Sequence, residues 1–286
     1  MSGFRRIGAI AIAAALMACA ATAPARSEAG VKVVQPTGAA CNRADFRLII
    51  DVGHSAESPG ATSARGVKEY VFNLSLATLI NQSLVDAGFG KTVLVVAAGP
   101  SRPSLVSRID IANRLSADLF LSIHHDSVPN KFLEKWEFEG EERGYSDRFT
   151  GHSIFVSNDN RHREASALFG KLLGGQLKAR GLTYTPHYSE GFMGSRRRIL
   201  VDAETGVYLY DQLLVLKNTH MPALLLEAGS IIHHDEELLM GTPEHQELIA
   251  AAVTDAVDTY CARQRTKRRP AAARRAAPSK KSAPAR

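Results

Sequence analysis

Between residues 46 and 261, short runs of β-branched and aliphatic residues alternate with longer segments of helical period. That alternation leaves few folds open to the chain. Phe46 to Val52 is an apolar run broken only by Arg47. Val67 to Ala87 carries Val67, Val71, Leu74, Ile80 and Leu84 near helical spacing, with Gly88 as a stop. Thr92 to Val96 is a short β-branched strand. Pro103 to Ser116 reads as a helix opened by Pro103, with Leu105, Ile109, Ala112 and Leu115 on one side. Leu119 to Ile123 and Ser153 to Val156 read as strands, and Arg163 to Arg180 as a helix ended by Gly181. Ala223 to Leu226 is a strand and Pro243 to Tyr260 a final helix. Strands separated by helices predict an α/β fold: a three-layer sandwich with a mostly parallel sheet and helices on both faces. Two stretches break the rhythm. Residues 128–151 hold Glu134, Glu137, Glu139, Glu141, Glu142 and the only Trp, Trp136. Residues 182–208 hold His187 and the run Arg196, Arg197, Arg198. Stretches of this kind are either functional loops or solvated insertions.

The flanks differ from this body. Arg5 and Arg6 precede an uncharged apolar run from Ile7 to Ala18, too short to span a bilayer comfortably. Small residues follow, so residues 1–29 read as an export signal, with an uncleaved anchor as the other reading. Leu16-Met17-Ala18-Cys19 also resembles a lipobox, so lipidation at Cys19 stays open. Residues 30–45 are a linker. Residues 262–286 hold ten Lys/Arg and no acid, and lack the apolar residues that would offset ordering; they read as a basic disordered tail. Its charge suits contact with anionic wall or membrane surfaces. The formal net charge of +6 therefore misleads, because residues 30–261 carry about −6. The basic overall balance is no sign of a nucleic-acid-binding fold. With 286 residues and 45% hydrophobic composition, fibrous and wholly disordered readings are excluded. Once the leader is set aside, Cys41 and Cys261 remain. They flank the predicted domain and read either as a disulfide joining its ends or as two free thiols.

In open α/β sheets, ligands bind beyond the carboxyl ends of the strands. The first strand is followed by His54, the third by His124-His125-Asp126, and the last core strand by Glu227. Glu69 sits where the first helix starts, at the same rim. Two imidazoles and a carboxylate suit zinc with a fourth position open for water. The ligands are not one helical turn apart, so the sheet must bring them together.

Three blocks carry a family resemblance. Asp51-Val52-Gly53-His54 with Pro59-Gly60-Ala61, Gly66 and Glu69 is the first. Arg108-Ile109-Asp110-Ile111-Ala112-Asn113 followed by Ser122-Ile123-His124 is the second. Pro222 to Gly229 with Glu236-Glu237 is the third. In this order and at these intervals they resemble the zinc-dependent N-acetylmuramoyl-L-alanine amidases, the amidase_3 family, over residues 46–261. The resemblance implies that His54, Glu69 and His124 hold one catalytic Zn2+ and that Glu227 is the catalytic carboxylate. It implies cleavage of the amide between N-acetylmuramic acid and L-alanine of the peptidoglycan stem peptide by a periplasmic or secreted hydrolase. Ser55-Ala56 and His125-Asp126 depart from the family pattern, as does the missing Thr-Arg after the second strand.

Several neighbours carry competing readings. His125 is an ordinary polar neighbour or a spare ligand. Asp126 is placed to orient a ligand imidazole. His187 reaches the site from its loop or is a plain loop residue. Arg196 to Arg198 pair with stem-peptide carboxylates or are solvated. The acidic segment Glu134 to Glu142 is a lid over the metal or a solvated insertion. The implied partner is a peptidoglycan or muropeptide substrate, with no specific nucleic acid; a protein activator is left open. Two other functions share these residues: a zinc peptidase of carboxypeptidase type, and a catalytically inactive wall-binding module. The second does not need Glu227.

Overall fold

A computed structural model describes residues 41–268. The leader with Cys19, most of the linker and most of the basic tail lie outside the described residues. The chain folds as β1 (Leu48–Val52), α1 (Glu69–Asp86), β2 (Val93–Val95), α2 (Ser101–Leu115) and β3 (Leu119–Asp126). A hairpin follows, β4 (Glu134–Phe138) and β5 (Glu141–Tyr145). Then come β6 (Ser153–Val156), α3 (Arg163–Ala179), β7 (Ile199–Asp202), β8 (Val207–Leu209) and α4 (Leu214–Asn218). The chain ends with β9 (Ala223–Ser230), α5 (His234–Met240) and α6 (Pro243–Arg268). Among the described residues no helix is long and apolar enough to cross a membrane.

Seven strands form one sheet in the order β2-β1-β3-β9-β6-β8-β7. The β1, β2, β3 and β9 strands run parallel, whereas β6 opposes β9 and β7 opposes β8. Because side chains alternate along a strand, the sheet feeds two cores. Leu48, Ile50, Leu121, Leu226 and Ile154 pack under α1, α3 and α6, through residues such as Leu76, Phe169 and Val253. Ile49, Phe120, Leu225 and Phe155 face the other way, onto Ile109 of α2 and Leu216 of α4. Two helical layers around a mostly parallel sheet match the expected sandwich.

The differences are local. The first helix starts at Glu69 rather than Val67. Pro103 lies within the first turn of α2 rather than opening it, where its missing N–H costs no helical bond. The strands carrying the functional residues run further than their apolar cores. β3 continues through His124, His125 and Asp126, and β9 through Glu227 to Ser230. The stretch 128–151 is no loose loop: Trp136 and Phe138 alternate with acids in a two-stranded ribbon. Its turn is Glu139-Gly140, both with positive φ of 52° and 78°, as a two-residue hairpin requires. The stretch 182–208 likewise supplies β7 and β8.

Cys41 and Cys261 form a disulfide, with Cα atoms 5.2 Å apart and the two residues 220 positions apart in sequence. It joins the segment before β1 to α6, at the end of the sheet opposite the functional residues.

Candidate metal centre

The site grows from the carboxyl ends of β1, β3 and β9. In the parallel register Val52 faces Ile123, and His124 faces Glu227. The chain then leaves β1 through Gly53 and His54. His54 adopts φ 67°, a left-handed conformation that costs a non-glycine residue energy and is found where surrounding structure enforces it. This turn aims the His54 ring at α1.

Glu69 is the hub. Its Oε2 lies 3.0 Å from His54 Nε2, and its Oε1 lies 2.9 Å from His124 Nδ1. The two imidazoles meet edge to face with ring centres 4.9 Å apart. One ligand atom from each of His54, Glu69 and His124 falls within 4.8 Å of the others. Burial alone would raise the Glu69 carboxyl, but the hydrogen bonds and charges of His124 and His54 outweigh it. They hold the group well below the ordinary carboxylate range. Glu69 is further held by Ala61 N–H at 3.1 Å and by Asn73 Nδ2, also at 3.1 Å.

Two glycines make room for this cluster. A Cβ on Gly60, at φ +77°, would stand 2.3 Å from Glu69 Oε2 and 2.7 Å from His54 Nε2. A Cβ on Gly53 would stand 2.4 Å from His124 Nε2. A cradle that any side chain would fill, lined by two imidazole nitrogens and one ionised carboxylate, fits a divalent transition metal of zinc type.

Glu227 stands beside this centre. Burial, and then the charges of Asp126 and Glu69, push its carboxyl well above the ordinary range. Its Oε2 is buried with no hydrogen-bond partner.

The neighbours fall out differently from the sequence reading. His125 turns away from the ligands: its Nδ1 bonds Asn73 Oδ1 at 2.8 Å, buried against α1, so it is a polar neighbour. Asp126 does not orient a ligand imidazole. Its Oδ1 accepts the Tyr188 hydroxyl at 2.6 Å and the Ser127 N–H at 2.7 Å. Burial pushes Asp126 up to about 7 despite the Tyr188 bond. His187 does approach the site: its Nε2 lies 3.9 Å from Asp126 Oδ2, while its Nδ1 pairs with Thr185 Oγ1 at 2.6 Å. Arg196 and Arg197 stay exposed, and Arg198 stacks 3.8 Å over Tyr210. The acidic hairpin packs on the loop before Glu69 and on α5: Trp136 Nε1 donates to Ala64 O at 2.9 Å, and the His234 ring lies with its centre 4.2 Å from those of both Trp136 and Tyr145. His54 keeps 30% of its side chain exposed.

Two supports were given no role in the sequence reading. Asn73 bridges Glu69, Gly53 O and His125, and its position four residues after Glu69 on one helix face was the available signal. Arg108 and Asp51 form a buried ion pair at 3.2 Å, and Asp51 also accepts from Ser122 at 2.7 Å. This pair ties α2 to the ends of β1 and β3.

Comparison with known proteins shows the family and the shared fold. The family model described as N-acetylmuramoyl-L-alanine amidase matches residues 48–259. The chain belongs to the N-acetylmuramoyl-L-alanine amidase family. It is 26% identical over 225 residues to the amidase AmiA of Escherichia coli, covering 74% of this chain and 75% of that one. The fold is shared with the N-acetylmuramyl-L-alanine amidase of Mycobacterium smegmatis, at a TM-score of 0.59 and 18% identity, covering 78% of this chain and 100% of that one. It is also shared with the CwlD amidase of Clostridioides difficile, solved in complex with the GerS lipoprotein. That match has a TM-score of 0.54 and 18% identity and covers 76% of this chain and 98% of the other. Family membership makes the chain an amide hydrolase of peptidoglycan.

Proposed function

We propose that residues 46–261 form a zinc-dependent catalytic domain that hydrolyses the bond between N-acetylmuramic acid and L-alanine, with His54, Glu69 and His124 holding the ion. The convergence of two imidazole nitrogens on one Glu69 carboxylate, at 3.0 and 2.9 Å, carries this reading. When bound, zinc lowers the pKa of water toward neutrality and polarises the amide carbonyl. The other steps belong to the chain. Glu227, with a free buried oxygen, accepts the proton of the attacking water and returns it to the departing amine of L-alanine. Burial and the neighbouring carboxyl groups of Asp126 and Glu69 raise its proton affinity above that of an ordinary carboxylate, as a proton acceptor requires. Asn73 and the Ala61 N–H fix the Glu69 carboxylate, so the ligand set does not reorganise during turnover.

The enzyme acts outside the cytoplasm in this proposal. The leader-like residues 1–29 support export, and the Cys41–Cys261 disulfide suits an oxidising compartment. A protein activator belongs to the proposal as a partner still to be sought.

Dye release from purified wall, with and without chelator, tests the activity. Analysis of the soluble products separates an amidase from a carboxypeptidase, since only the amidase frees intact stem peptide. Glu227→Ala is expected to keep its zinc and lose at least about a hundredfold in kcat. Loss of metal along with activity in that variant would reassign Glu227 as a ligand.

A further inference from the structure

The rim beside the metal centre carries an aromatic platform with a guanidinium on it. Phe149 is buried with Val128, two residues beyond Asp126, and with Ile232, five residues beyond Glu227. Phe132 and Phe192 extend the cluster, with ring centres 5.7 and 5.9 Å from Phe149. Arg148 lies over this surface, its Cζ 4.3 Å from the Phe192 ring centre and 5.1 Å from that of Phe149.

The backbone around Arg148 is pinned on one side to the loop that follows β9 and on the other to α5. Ser146 N–H donates to Ile232 O at 2.8 Å, and Gly151 N–H donates to Glu236 Oε1 at 2.9 Å. The backbone that carries the guanidinium is thus fixed, and the group itself rests on the two rings while exposed to solvent. Among the described residues no carboxylate lies within ion-pair distance of it. Its path to the chemistry is short. Phe149 contacts the His187 ring at 5.0 Å, and His187 Nε2 is 3.9 Å from Asp126, next but one to the ligand His124.

Guanidinium groups stacked on aromatic faces keep their N–H edges free for planar, two-pronged pairing with a carboxylate. We propose that Arg148 is the docking point for a free carboxylate on the substrate residue that follows L-alanine, and so sets a preference for acidic over amidated stem peptides. L-alanine has no free carboxylate, because its carbonyl is taken up in the next peptide bond, so the nearest one the stem peptide can offer lies on the residue that follows, about 3.5 Å further along the chain. This rests on the proposed function and names the substrate feature its site reads. The run Arg196 to Arg198 is not needed for it.

The test compares two soluble muramoyl peptides that differ only in bearing a free carboxylate or a primary amide on the residue after L-alanine. The zinc-loaded wild-type enzyme is expected to prefer the acid in kcat/KM by about ten- to a hundredfold, mostly through KM. Arg148→Ala is expected to fall to the amide level on the acid and stay unchanged on the amide. Arg148→Lys should recover part of the preference, keeping the charge without the fork. A wild-type enzyme without the preference, or an Arg148→Ala enzyme that keeps it or slows equally on both peptides, overturns the inference while leaving the amidase reading standing. A wild-type enzyme that cleaves neither peptide overturns the amidase reading, and this inference with it.

Discussion

Where the strands start, the molecule is closed by apolar and covalent contacts; where they end, it holds buried polar atoms without partners. At the first end the Cys41–Cys261 disulfide lies close to an edge-to-face series of rings: Phe46 meets Phe89 at 6.0 Å and Tyr260 at 6.3 Å, and Phe169 meets Tyr260 at 5.4 Å. At the second end Glu227 Oε2, Asp126 Oδ2 and His187 Nε2 are buried with no hydrogen bond, and His54 is held at φ 67°. Unsatisfied buried groups and backbone strain both cost stability. Stability is concentrated at the end that does no chemistry, and the chemical end is carried by it.

If that division is real, the two ends should respond separately. The largest effect is expected from removing the disulfide. A loop of 220 residues is released, which costs about 5 kcal/mol on the chain-entropy account. Cys41→Ser with Cys261→Ser should therefore unfold at much lower urea, measured by circular dichroism, while zinc affinity and kcat of the folded fraction stay the same. A parallel loss of zinc affinity would mean that the two ends are coupled.

A smaller effect is expected from the buried ring at the chemical end. Burial, and then Arg148, lower His187 from 6.5 to about 4, so the folded state favours the neutral ring. The unfolded chain binds the extra proton between those values. The stability due to this ring is present above pH 6.5 and is lost as pH falls toward 4, a change of about 3 kcal/mol. Urea midpoints at pH 7 and pH 4.5 check it, and His187→Gln should flatten the slope. An unchanged slope would show that the ring titrates alike in both states.

The smallest effect sharpens the account of the metal cradle. Asn73→Ala removes the amide that braces Glu69 and His125. It should weaken zinc binding by about ten- to a hundredfold, read by competition with a chromophoric chelator. Zinc affinity equal to the wild type would remove Asn73 from the cradle.

Much of this design is legible in the residues. The central strands β1, β3, β6 and β9 were readable because their apolar runs are buried on both faces. Their far ends were not, because His124-His125-Asp126 and Glu227 continue a strand with polar residues that the site, not the core, requires. The hairpin hid in an acidic stretch whose alternation of Trp136 and Phe138 with charged neighbours faces a small surface rather than the main core. β7 and β8 were masked by the arginines before them and by their own shortness, four and three residues. His54, Glu69, His124 and Glu227 stood out because each lies at a strand or helix end on one rim. Arg148 did not, because the platform under it is assembled from Phe149 and Phe192, 43 positions apart.

In the proposed enzyme one metal ion is held by side chains from two strand ends and a helix start. Calorimetric titration of metal-free protein with zinc, for the wild type and for His54→Ala with His124→Ala, tests it most directly. The account predicts one zinc per wild-type chain and no comparable site in the double variant. Equal binding by both proteins, or none by a folded wild type, would contradict it.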